Sequence, residues 1–171
     1  MNPETDDLMR SLGYVMLHWS KLECAILEDI KRLRRVDGDN GGTSMRPRGS
    51  LIERLAEWQA LVSRKSGRNS TAPNEVGEIA AQAERLRQTR DIIGNNFAGT
   101  EISASSEYQI VVAEGGMSSL RALQTTFTTK QLTGLVHEME ETAARVVRLE
   151  EIMSKQRVDH SAATDISWPG L

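Results

Sequence analysis

Several things are scarce in this 171-residue chain, and each scarcity excludes something. There is one cysteine, Cys24, so an intramolecular disulfide and a cysteine cage for zinc are both ruled out. Aromatic residues make up only 4% of the chain. That is too few for the strands of a β-sandwich, and it leaves few rings on which bases could stack. No run of 18 or more apolar residues exists to span a bilayer. The segment MNPETDDLMRSLG carries acids where a secretion signal carries Lys or Arg, which predicts a soluble, cytoplasmic protein. Charge of one sign is missing too, with 21 basic and 24 acidic side chains and a net charge of -3. A globally basic nucleic-acid binder is excluded, while a local basic face is not.

What is present is enough to build a core. Hydrophobic residues are 39% and charged residues 26%, the balance of a globular domain. The length predicts a single domain, set at residues 1–157 with a loose tail at 158–171. Charge is distributed unevenly: residues 31–68 hold ten basic and four acidic side chains between two acidic stretches. Such a segment can meet phosphate, or it can be a solvated helix end followed by a loop.

Apolar spacing predicts four main helices. From Pro3 to Arg35, Leu8, Leu12, Val15, Trp19, Leu22, Ile26, Ile30 and Leu33 recur every three or four residues and form one stripe. Asp6 and Asp7 near its start, and Lys31, Arg32, Arg34 and Arg35 at its end, suit the helix dipole. Asp37 to Gly42 reads as a turn. The second helix covers Ser50 to Arg64, with Leu51, Leu55, Trp58, Leu61 and Val62 on one face and a capping box of Ser50 and Glu53. The third begins near Pro73, carries Val76, Ile79, Ala80, Ala83, Leu86, Ile92 and Ile93, and weakens at Gly94.

Residues 107–113 are β-prone, Gly115-Gly116 can turn the chain, and 119–127 can return as a second strand. A last helix runs from Thr128 or Thr129 to about Arg157, with Leu132, Leu135, Val136, Met139, Ala143, Val146, Val147 and Leu149 in its stripe. These stripes are best buried against each other. The expected fold is all-α, an antiparallel bundle of four main helices with a small β-hairpin inserted before the last. Any surplus of the long first stripe would favour a homodimer.

Partial motifs fail on inspection. The run from Asp37 has Gly41 and Arg48 where a calcium loop needs carboxylate or amide ligands, and the glycines at 38–42 lack a phosphate-loop lysine. His137-Glu138-Met139-Glu140-Glu141 has Glu where a zinc-protease helix has its second His, so it reads as a surface pair of His137 and Glu141. His18 and Cys24 do not share a helical face cleanly. The Asn69-Ser70-Thr71 sequon needs a secretory context to matter. No metal and no cofactor is predicted.

The segment Arg85-Leu86-Arg87-Gln88-Thr89-Arg90-Asp91-Ile92-Ile93-Gly94-Asn95-Asn96-Phe97 is more informative. An Arg, a short polar residue and apolar residues near a helix end resemble the signature of HEPN domains, the higher eukaryotes and prokaryotes nucleotide-binding group. The order of elements over roughly residues 5–155 is also similar to that of small bacterial HEPN-like proteins. It includes the His18-Trp19-Ser20-Lys21-Leu22-Glu23 helix and the final helix opening Thr128-Thr129-Lys130-Gln131-Leu132.

The resemblance implies a metal-independent endoribonuclease site shared by two protomers, in which Arg and His of each face the other. It further implies a role in toxin–antitoxin or phage-defence systems, with RNA and an antitoxin as partners. Carried over, Arg90 is the Arg, Asp91 the polar residue, and Asn95 stands where the family places His. Arg87 and Asn96 would add contacts to RNA. Asn does not titrate near neutral pH, so the resemblance implies a site better equipped to bind than to cut. Two other readings stay open: Arg90 and Asp91 as a local ion pair at a helix end, and the whole chain as a helical protein–protein interaction module without nucleic-acid function.

Overall fold

The structure, a computed structural model, describes residues 3–36, 49–67, 70–102, 108–114 and 123–163. The turn at 37–42 with its failed calcium and phosphate motifs, Asn69 of the sequon, Gly115-Gly116 and residues 164–171 lie outside the described residues. Seven elements follow one another: α1 (Pro3–Val36), α2 (Leu51–Lys65), α3 (Ala72–Asn96), β1 (Phe97–Ile102), β2 (Tyr108–Glu114), β3 (Leu123–Thr128) and α4 (Thr129–Ala163). The fold is mostly α, four helices with a small antiparallel sheet inserted before the last.

The helices form where one-sided burial calls for them. Of the α1 stripe, Leu8, Val15, Trp19, Leu22, Ile26, Ile30 and Leu33 are buried, and only Leu12 is half-exposed. All five predicted core residues of α2 are buried as well. Its start is a capping box: Ser50 Oγ accepts from the Glu53 N–H at 3.3 Å while Glu53 Oε2 accepts from the Ser50 N–H at 2.6 Å. The start of α4 repeats the device. Gln131 Oε1 accepts from the Thr128 N–H at 2.8 Å, and Thr128 Oγ1 accepts from the Gln131 N–H at 3.3 Å.

Three expectations change. The insertion is a three-stranded sheet in the order β1-β2-β3, not a two-stranded hairpin. The strand at 97–102 is exposed along nearly its whole length and has no alternation to read. It is held instead by pairing with β2, with a register irregularity between Phe97 and Gly99. Gly99 sits at φ +150, which a side chain would resist. Second, α4 continues to Ala163, past the expected end near Arg157 and into the stretch read as tail. Third, Val147, counted in the α4 stripe, is 56% exposed.

The chain divides into two compact units. The first comprises Met1–Glu23 and Gln82–Thr142. Here α1 and α3 run antiparallel: Arg90 lies against Trp19, and a Cβ added to Gly94 would meet Met16 Cε at 3.2 Å. Ile110, Val111 and Val112 of β2 are buried. The second comprises Cys24–Ala81 and Ala143–Leu171. Its core surrounds Trp58, whose Nε1–H donates to the buried Asp29 Oδ2 at 2.7 Å. Arg32 closes on the other Asp29 oxygen and on Glu150, and Arg145 ties α4 to Glu75 and Glu78 of α3.

Candidate functional site

The residues singled out by the HEPN resemblance lie on the last three turns of α3, in the first unit. Helical spacing of three and four residues links Glu84, Arg87 and Asp91, and Arg90 joins them through its neighbour Asp91. Glu84 takes a bidentate pair from Arg87, with Nε at 2.9 Å and Nη2 at 2.8 Å, and also accepts from Gln88 Nε2 at 3.0 Å. Arg87 Nη1 continues to Asp91 Oδ2, and the other Asp91 oxygen lies 2.8 Å from Arg90 Nη1. The Arg87 hydrogen bond holds the Glu84 carboxyl below the usual carboxylate range, and the same pairing raises Arg87.

Arg90 differs from Arg87. Its side chain is 29% exposed and its guanidinium carbon lies 5.0 Å from the centre of the Trp19 ring. Such a cation–π contact contributes about 0.5–2 kcal/mol, depending on solvent exposure. Asp91 holds one end of the guanidinium, while Arg90 Nε is buried with no acceptor among the described residues. The fork is thus positioned by a ring and a carboxylate, and it keeps an unused donor.

The structure brings Arg87, Asp91 and Arg90 together, and Asn95 follows one turn beyond Asp91 on the same helix. Asn95 is exposed, and Asn96 is the half-buried last residue of the helix. Positions 90 and 95 project about 140° apart on a helix, so within one chain they do not share a face. Arg87 is already matched by two carboxylates, which take three of its five N–H donors.

Spacing alone did not mark Trp19 as part of the site. It reads as a stripe residue and is one, at 4% exposure, yet it is also the platform for Arg90. A tryptophan on α1 facing an arginine on α3 was the available signal, and only the pairing of the two helices reveals it.

Other sequence candidates resolve simply. His18 Nδ1 lies 3.3 Å from Glu140 Oε1, with Tyr14 edge-on to its ring. His137 and Glu141 are exposed. Among the described residues no group of three or more His, Cys, Asp or Glu side chains is placed to share a metal ion. No described helix is long and apolar enough to cross a membrane.

In the second unit, a groove of about 330 Å³ is lined by Glu28, Arg32, Arg35, Val146, Val147 and Glu150, among others. Comparison with known families, curated proteins and solved structures finds no match to this chain.

Proposed function

We propose that Arg90 is the centre of an RNA-binding site in a HEPN-like protein that works as a homodimer. The observation that carries this reading is the half-buried Arg90 guanidinium, held against Trp19 and Asp91 with a donor unspent. A planar fork of this kind suits a phosphate oxygen. Asp91 is the positioning residue, and Asn95 offers hydrogen bonds near the end of the helix. With no histidine in the segment, the site lacks a group that exchanges protons near neutral pH, a contribution of about 10²–10⁴-fold in rate. The chain is therefore a binder, a ribonuclease-like protein without efficient cleavage. A second copy has apolar surface to cover: Tyr14 and Leu17, one turn apart on α1, are exposed in the same unit as Arg90. A toxin–antitoxin or phage-defence role belongs to this reading.

The test combines RNA binding with metal-free RNA cleavage for the natural chain, Asn95→His and Arg90→Ala. The natural chain should bind RNA without cutting it. Asn95→His should gain chelator-resistant cleavage, and Arg90→Ala should lose binding. If no variant binds or cuts, and Arg90→Ala changes nothing, the reading fails. A monomer in sedimentation would remove the shared site.

One observation favours a second reading. The groove of the second unit combines charge of both signs with the exposed Val147, a surface suited to an amphipathic helix of another protein. An interaction module of that kind would lose its partner on Val147→Lys and be indifferent to Arg90→Ala.

A further inference from the structure

Two tryptophans of this chain are almost wholly buried, and their indole N–H groups fare differently. Trp58 is 0% exposed, and its Nε1–H donates to Asp29 Oδ2 at 2.7 Å. Trp19 is 4% exposed, and its Nε1–H has no acceptor among the described residues. Arg90 Nε, on the guanidinium that lies against the same ring, is likewise buried and without an acceptor. Each unmet buried donor costs about 1–3 kcal/mol, and nearly all buried polar groups in folded proteins are paired. Two unmet donors, one on the α1 ring and one on the α3 guanidinium that lies against it, mark a place where an acceptor belongs. The neighbouring acids do not supply it: Asp91 accepts from Arg87 and lies against Arg90 Nη1, and Glu84 accepts from Arg87 and Gln88.

The chemistry of that acceptor can be narrowed. Indole N–H and guanidinium Nε–H only donate, so the ligand atom must accept. Arg87 and Arg90 are balanced by Glu84 and Asp91, so these four side chains together carry no net charge. A dianion would meet the Asp91 carboxylate without a compensating cation, whereas a singly charged oxyanion meets less repulsion.

We infer that Trp19 is a ligand-contacting residue, whose indole N–H joins Arg90 Nε–H in holding one phosphodiester oxygen. The identity of the ligand rests on the RNA reading above; the unmet pair of donors does not. Access requires the partly exposed Arg90 side chain to tip outward about its own torsions. The ligand then replaces part of the ring contact with two hydrogen bonds.

The experiment follows the indole N–H signals of the intact 15N-labelled protein by NMR. Trp19→Phe, which keeps a ring under Arg90, assigns the Trp19 signal; through-bond spectra of the natural chain assign it if that variant does not fold. The probes are dimethyl phosphate and a short oligouridylate with hydroxyl ends, which carries diesters only, and inorganic phosphate serves as the dianion. The Trp19 signal should move on titration with both diester probes, and with inorganic phosphate much less, while the Trp58 signal stays fixed. Trp19→Phe should weaken oligouridylate binding by about ten- to hundredfold, the usual effect of a hydrogen bond to a charged partner.

Oligouridylate binding that depends on Arg90, with an unmoved Trp19 signal and full affinity in Trp19→Phe, overturns the inference and leaves the RNA reading standing. A Trp19 signal that answers dimethyl phosphate in a protein that binds no RNA does the reverse. A signal that answers neither diester probe overturns the inference outright.

Discussion

At the scale of single residues, burial of a polar atom is informative only together with its partner. Trp58 and Trp19 are buried alike, and the difference lies in Asp29. Asp29 is itself 6% exposed and serves both Trp58 Nε1 and Arg32, so its removal strands a buried indole N–H and leaves Arg32 to Glu150. Asp29→Ala is expected to cost about 1–3 kcal/mol, the penalty of an unmet buried donor. Asp29→Asn keeps an oxygen for the indole and should cost less, a ranking that urea denaturation reads directly.

Sequence reasoning reached Arg90 and Asp91 through a local motif, and the i, i+4 link between Arg87 and Asp91 was implicit in their spacing. It could not separate the two tryptophans. Which indole finds a carboxylate depends on where α2 sets Trp58 against α1, a long-range fact with no trace in local pattern.

At the scale of elements, the helices were legible because each buries one face, and periodicity records one-sided burial. The α1 stripe illustrates this, since its residues are spent within the chain's own core. The apolar surface left on α1 is a different set, Met9, Tyr14 and Leu17. β1 was not legible because pairing with β2, not burial, holds it.

Two predictions belong here. Ser50→Ala removes the acceptor of the α2 capping box and should lower stability by about 1 kcal/mol, read as a lower melting temperature. The second concerns pH. The Arg145 hydrogen bond holds the Glu75 carboxyl below the usual carboxylate range, and Arg87 does the same to Glu84. A carboxyl depressed in the folded state contributes stability above its unfolded value of about 4.3, and that contribution is lost as pH falls through the folded value. Arg145→Ala should therefore be less stable than the natural chain near neutral pH. The gap should narrow below about pH 4, as Glu75 takes up its proton. Denaturation curves across the acid range check this, and a gap independent of pH would contradict it.

At the scale of the whole molecule, the net charge of -3 describes neither region that matters. Arg90 and Arg87 sit in a locally balanced cluster, so affinity for RNA should come from a few directed donors more than from a broad positive field. A shallow dependence on salt concentration is expected, about one or two ions released. The basic residues Arg32 and Arg35 line a groove in the other unit and belong to the competing reading.

The central claim is that Arg90 holds an RNA phosphate. Equilibrium binding of a short single-stranded RNA, by fluorescence anisotropy at fixed salt, tests it most directly. The account predicts measurable binding by the natural chain and a loss of at least about tenfold in a folded Arg90→Ala variant, the effect of a charge-assisted contact. Equal affinity of the two proteins, or no binding by either, would contradict it.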